Sequence, residues 1–217
     1  PYVAIKDALR SQGWRDVVPV YDIVEAYRDR HPLSNGWFAP PLTEGQLGDI
    51  SAVLSGWSDD VSRAHHLQFV AWRRLREEWM FKGAPVEVSN RYFIPEIAEV
   101  LNGDERFMDV GAYDGRVISR FLHLADDDCD SICAIEPDRW NRKLLESTIK
   151  ALAVESAGKV TIIPYAVGED CGEASFADGL GYASQLSDLG CTAVQVTTID
   201  KIQFNPSFIK LHLEGGE

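Results

Sequence analysis

Apolar and polar positions alternate with two different periods along this chain, and the change of period divides it. Near the start, the spacing from Val3 to Gln12 predicts a helix, Asp16 to Val20 a strand, and Tyr21 to Asp29 a second helix. Pro32 to Thr43, which contains Pro40-Pro41, predicts a linker or ordered loop in which Trp37 and Phe38 pack onto a neighbour. Thr43 or Ser51 is expected to cap the helices that follow, and Asp60 to Trp79 predicts one long helix. Beyond residue 100 the pattern becomes strand, turn, helix, strand. The apolar run at Phe107 enters a glycine turn, Val117 to about Leu124 is helical, and Ser131 to Ile135 is a second strand. A helix beginning near Arg139 and strands at Lys159–Ile163 and Phe208–Leu213 complete an α/β pattern.

The turn Asp109-Val110-Gly111-Ala112-Tyr113-Asp114-Gly115, with Glu136 ending the next strand, reads as a nucleoside-binding crossover. In open α/β sheets such a turn lets the backbone approach a ligand, and the acid is placed to accept hydrogen bonds from a ribose diol. A dinucleotide site wants G-x-G-x-x-G around a pyrophosphate. The spacing here differs, and Asp109 and Asp114 would repel phosphate while suiting a cationic ligand such as S-adenosylmethionine. The plainer alternative is that Gly111 and Gly115 serve only a tight strand-to-helix turn.

Several separated blocks resemble the FkbM-type S-adenosylmethionine-dependent methyltransferases. They are Arg91-Tyr92-Phe93-Ile94-Pro95-Glu96-Ile97, Phe107 to Gly115, Glu136-Pro137-Asp138 with Asn141, Pro164-Tyr165-Ala166-Val167-Gly168, Val196 to Asp200, and Phe208 to Glu217. The resemblance spans about residues 90 to 217 and departs at His212, where the family usually carries aspartate. It implies a class I methyltransferase-like, Rossmann-like sheet flanked by helices. It also implies a preceding Rossmann-like unit in longer members, so residues 1–31 are expected to be the tail of such a unit, 32–90 a linker and helical connector, and 91–217 the methyltransferase domain. The chain opens on Pro1 without methionine and stops at Glu217 after the expected fourth strand, so both ends are expected to be cut.

Cofactor roles follow residue by residue. Asp109 is expected to bind the methionine ammonium directly or through water, Gly111 and Gly115 to let the turn hug the ligand, and Ala112, Tyr113 and Asp114 to form its backbone wall. Glu136 is expected to take the ribose hydroxyls, and Asp138 to line the site or, more simply, to cap the helix after it. The resemblance places Tyr165 and Ala166 near the adenine edge; both would fit a core equally well.

Methyl transfer is an in-line displacement at an activated carbon, so positioning and charge carry most of it, and a hydroxyl acceptor also needs a base. Alternation along Phe208–Leu213 puts Lys210, His212 and Glu214 on one face. His212 would serve as base, Lys210 would hold the developing oxygen charge, and Glu214 would orient either or ligate a metal. The alternative is a structural Lys210–Glu214 pair. The histidine in place of aspartate would preserve base function, change metal preference, or mark an inactive relative. A divalent metal is conceivable but has no support in the sequence.

The segment Gly168 to Thr192, rich in glycine and serine, is read either as a hairpin and loop or as an acceptor lid, with Tyr182 and Ser184 as candidate substrate contacts. The adjacent His65 and His66 point in different directions on a helix and cannot form one metal face.

Composition narrows the classes. A formal net charge of -13 argues against nucleic acid, which needs concentrated Lys and Arg. No apolar run approaches the roughly twenty residues that span a bilayer, so no membrane is expected. The four cysteines form no C-x-x-C pair, and Cys133 is expected to be a buried free thiol in a reduced, cytoplasmic protein. The expected partner is a small-molecule or carbohydrate acceptor; nothing in the pattern bears on oligomeric state. The activity expected is O-methylation. A nicotinamide-dependent oxidoreductase and a non-catalytic nucleoside-binding or scaffold module are the alternatives.

Overall fold

The computed structural model describes residues 2–19, 23, 27, 30, 42–75, 77–86 and 91–214. The chain forms two compact units, Pro1–Ser89 and Asn90–Glu217.

In the first unit the described helices are α1 (Tyr2–Ser11), α2 (Glu44–Gly56) and α3 (Asp60–Leu75). Thr43 starts α2 with a reciprocal cap: its hydroxyl accepts from the Gln46 amide at 3.3 Å while its own amide donates to the Gln46 side chain at 3.0 Å. Ser51 lies inside that helix rather than capping one. Helix α3 stops at Leu75, short of the predicted Trp79. The chain turns instead, with Phe81 bridged to Ala84 and the buried Gln68 side chain of α3 donating to the Ala84 carbonyl at 2.9 Å. The two histidines of α3 take separate partners, His65 the Gln68 side chain and His66 the Trp57 indole. Asp16 to Pro19 form no strand, which corrects that expectation, and Val20 lies outside the described residues. The predicted helix at 21–29 falls mostly outside them, as do Trp37, Phe38 and most of the proposed linker.

The second unit holds the sheet. Strands β1 (Arg106–Val110), β2 (Ser131–Ile135) and β3 (Val160–Ile163), with β8 (Phe208–Leu211), form a parallel sheet in the order β3-β2-β1-β8. Between β1 and β2 runs α5 (Arg116–Leu124), following the short helix α4 (Pro95–Ala98); α6 (Arg139–Lys150) and α7 (Val154–Gly158) join β2 to β3. Parallel pairing requires such crossovers, and it buries both faces of the central strands. On one face Phe107 stacks on Phe121 and Phe208, with ring centroids 4.5 and 5.4 Å apart, and Ile132, Ala134 and Leu145 join them. On the other, Met108, Val110, Cys133 and Ile135 meet Val167 and Leu213. Burial pushes the Cys133 thiol up to about 11, as expected of an inert core cysteine.

A second sheet was not anticipated from the sequence. Strands β4 (Ala166–Val167), β5 (Gly172–Ala177), β6 (Gln185–Leu186) and β7 (Thr192–Thr197) pair in the order β4-β7-β5-β6. Residues 168–192 contain a hairpin, β5 pairing antiparallel with β6, and β5 also runs antiparallel to β7. The loop between β5 and β6 carries a 3-10 turn at Gly181–Ala183.

Candidate functional site

The C-terminal edge of the parallel sheet gathers the ends of β1, β2 and β8. In open sheets this edge is where ligand crevices form. The turn leaving β1 is fixed almost wholly by its own hydrogen bonds. The amides of Gly111 and Ala112 both donate to the Ile135 carbonyl at 3.0 Å, Tyr113 donates to Glu136 Oε2 at 2.8 Å, and Gly115 donates to the Ala112 carbonyl at 3.0 Å. Those amides would be the ones to cradle a pyrophosphate, and here they are consumed inside the fold.

The two glycines have packing reasons as well as conformational ones. Gly111 has φ +77°, and a Cβ there would strike the His212 carbonyl; Gly115 has φ +81°, and its Cβ would lie 2.9 Å from Leu145 of α6. Both needs come from the fold itself, which is the plainer of the two readings of these glycines. Ala112 likewise packs into the core. Asp114 bonds Arg116 at 2.7 Å, and its carbonyl accepts from Thr148 of α6 at 2.6 Å. Its charge is thus offset locally, so the repulsion argument from Asp114 loses force.

Glu136 ends β2 with both oxygens turned into the crossover. Oε2 accepts from Tyr113, and Oε1 accepts from the Asp138 amide at 2.9 Å and the Asn141 side chain at 3.4 Å. It is 5% exposed, and burial pushes its carboxyl upward against the pull of those donors. The remaining lone pairs suit hydroxyl donors.

Asp138 is wholly buried and has no capacity left for a ligand. Oδ1 caps α6, accepting from Trp140 at 2.7 Å and Asn141 at 3.2 Å; Oδ2 accepts from the Gly179 amide and the Ser184 hydroxyl, each at 2.6 Å. Burial would raise this carboxyl, but the bonds from Ser184, Gly179, Trp140 and Asn141 together hold it below its ordinary range. Ser184 is therefore placed as a latch on Asp138, where the sequence reading had a substrate contact. Asn141 adds a second latch, donating to the Gly181 carbonyl at 2.9 Å. Tyr182, on the same loop, is more than half exposed. Ala166 is buried in the core of the second sheet with Phe176 and Val194, whereas its neighbour Tyr165 is exposed.

Lys210 and His212 both lie against Tyr92 but take different partners. Asp109 and Lys210 are register partners on neighbouring parallel strands, so their side chains emerge side by side. They form an ion pair at 2.8 Å with side-chain exposures of 0% and 4%. Lys210 Nζ also donates to the Gly111 carbonyl at 2.7 Å and the Val110 carbonyl at 3.4 Å, which uses its donors inside the fold. Burial pushes the Asp109 carboxyl up, opposed by Lys210. Its Oδ2 is buried and has no hydrogen-bond partner among the described residues.

The strand itself ends at Leu211, one residue past which the His212 amide still donates to Val110. Glu214 then takes a left-handed conformation, φ 55°. The alternative Lys210–Glu214 pair is thus not formed. Glu214 Oε1 lies 3.2 Å from His212 Nε2, and His212 Nδ1 lies 2.9 Å from the Tyr92 hydroxyl.

Tyr92 and Asn141 are the site-edge residues that sequence reasoning left without a role. Both stood in the blocks that carried the resemblance, so position in a motif was the available signal. Tyr92 contacts a residue 120 positions away, and local pattern carries no information at that range.

Among the described residues no group of three or more His, Cys, Asp or Glu side chains is placed to hold a metal ion. No described helix is long and apolar enough to cross a membrane.

No family model matches the chain, and no curated protein matches it. Among solved structures it is similar to the crystal structure of Methyltransferase FkbM from Methylobacillus flagellatus KT, at 19% identity and a TM-score of 0.61. The match covers 79% of this chain but 42% of that one, so the chain spans less than half the length of its structural relative. This likeness shows the fold, an α/β sheet of the methyltransferase type.

Proposed function

We propose that this chain carries the S-adenosylmethionine-binding core of a methyltransferase that acts on a hydroxyl of a small molecule, sugar or glycan. The observation that carries this reading is the pairing of two buried carboxylates at adjacent strand ends. Glu136 offers lone pairs for a ribose diol, and Asp109 Oδ2 is buried without a hydrogen-bond partner among the described residues, an oxygen suited to an ammonium group. When bound, S-adenosylmethionine would supply the activated methyl carbon. The chain's own residues would anchor its ribose at Glu136 and its ammonium at Asp109, across a turn held by Ile135, Glu136 and Lys210.

The nicotinamide alternative loses support because the turn amides that would meet a pyrophosphate are already bonded within the fold. The non-catalytic reading keeps one specific observation in its favour: Lys210 already occupies one oxygen of Asp109, as an ammonium ligand would.

Calorimetric titration with S-adenosylmethionine, S-adenosylhomocysteine and NAD tests the proposal. Both adenosyl ligands are expected to bind, with NAD silent. Glu136→Ala is expected to weaken them at least about tenfold, ~1.4 kcal/mol. Because Glu136 also holds Tyr113 and Asp138, Glu136→Gln and thermal melts accompany it to separate lost binding from a lost turn. Binding of NAD alone would overturn the reading.

A further inference from the structure

Resting on the methyltransferase reading, we infer that Tyr92 is the residue that takes the acceptor's hydroxyl proton, with His212 and Glu214 behind it as a relay. The sequence alone pointed to His212 as the base. In the fold His212 Nδ1 is hydrogen-bonded with the Tyr92 hydroxyl at 2.9 Å, and Nε2 lies 3.2 Å from Glu214 Oε1 in a charge contact without hydrogen-bond geometry. The hydrogen bond of the imidazole is thus the one to Tyr92, and the group beyond Nδ1 is the half-buried phenol.

The order of the three groups sets the direction of proton flow. Glu214, with its side chain 6% exposed, places a carboxylate charge 3.2 Å from Nε2, which favours the proton there. Nδ1 is then a lone pair aimed at Tyr92, and the Tyr92 O–H donates to it. Burial pushes the Tyr92 phenol upward, so it rests protonated and is suited to hand its proton on as it receives one. The Arg91 cation, 4.6 Å from the ring centroid, lowers the cost of negative charge passing through the phenol oxygen, opposed by the Asp109 and Glu214 carboxylates.

The step balances without a further reactant. The acceptor oxygen forms a bond to the methyl carbon while the carbon–sulfur bond breaks, and that electron pair stays on sulfur, which becomes a neutral thioether. The acceptor proton moves to Tyr92 Oη as the Tyr92 proton moves to His212 Nδ1. The imidazolium so formed lies against the Glu214 carboxylate. Tyr92 is the catalytic residue here; His212 and Glu214 act through it.

The test uses the intact protein labelled with ¹⁵N-histidine and saturated with S-adenosylhomocysteine, read by long-range ¹H–¹⁵N correlation, with His212→Asn for assignment. The expected result is a neutral His212 protonated on Nε2, with Tyr92→Phe moving the Nδ1 resonance and leaving Nε2 in place. In parallel, transfer from methyl-labelled S-adenosylmethionine to a panel of methyl glycosides and simple polyols is measured. Tyr92→Phe is expected to lower kcat about a hundredfold at unchanged affinity for S-adenosylhomocysteine, with His212→Asn adding little to it. Wild-type turnover in Tyr92→Phe, or a proton on Nδ1, overturns the relay. If the panel holds no acceptor, the ring-nitrogen protonation decides alone. Failure of the wild type to bind S-adenosylhomocysteine would instead overturn the methyltransferase reading.

Discussion

The Ser184 hydroxyl donates to Asp138 Oδ2 at 2.6 Å, across 46 residues of sequence. With the Gly179 amide on the same oxygen, this bond ties the β5–β6 loop to the N-terminus of α6, directly behind Glu136. One carboxylate thus caps a helix, secures a loop and stands behind Glu136. A side chain with four donors around it has little freedom to reorganise when a ligand arrives.

Removing the hydroxyl should expose the latch. Ser184→Ala is expected to cost about 2 kcal/mol, the usual range for a hydrogen bond to a charged group, as a lower urea midpoint at constant m-value. Amide exchange at Gly179 and Ala183 should quicken more than exchange in β1. Equal acceleration in both would mean that the bond supports the domain generally and does not secure the loop.

Asp138 should also leave a signature in acid. Its carboxyl is held below the ordinary range, so it contributes stability that is present above its unfolded value of about 3.9 and is lost as pH falls through the folded value. Asp138→Asn is therefore expected to be less stable than wild type at pH 7, with the gap narrowing below about pH 4. Denaturant melts across that range measure it. A gap independent of pH would assign the loss to shape alone.

The Asp109–Lys210 pair predicts strong coupling. Lys210→Met leaves a buried carboxylate without its counter-ion and is expected to cost about 3–5 kcal/mol. The double variant Asp109→Leu/Lys210→Met should recover much of that. A double-mutant cycle with no interaction energy would contradict the buried pair.

Gly111→Ala combines a left-handed backbone with a clash against the His212 carbonyl. The backbone part alone should cost on the order of 1–2 kcal/mol, and the carbonyl cannot yield without disturbing β8. A melting temperature within a degree of wild type would show that the turn relaxes more freely than this packing allows.

The elements that were legible in the sequence are those whose signals are local. Strand β2 was found at Ser131–Ile135 as expected, α6 begins at Arg139, and Thr43 and Asp138 cap the helices that follow them. Each rests on a run of apolar residues or on a side chain bonding a backbone two or three positions away. The misses have a different character. Helix α3 was drawn too long because Trp79 fits helical spacing, whereas a turn at Phe81–Ala84 redirects the chain. The second sheet escaped because two of its strands are only two residues long, the other two are mixed in composition, and strand pairing is a long-range property.

At the edge of the parallel sheet the same division decides what each residue does. The order of the chain determined that an acid would stand at the end of β1, another at the end of β2, and a lysine and histidine at the end of β8, since strand periodicity and the glycine turn are written in neighbouring residues. Tertiary structure alone decided their partners. Parallel register set Lys210 beside Asp109, the β5–β6 loop brought Ser184 onto Asp138, and Tyr92 came to His212 from 120 positions away. A sequence lists ionisable groups, but their chemistry depends on which charges and donors surround them in a buried medium, and that neighbourhood exists only once the strands have paired.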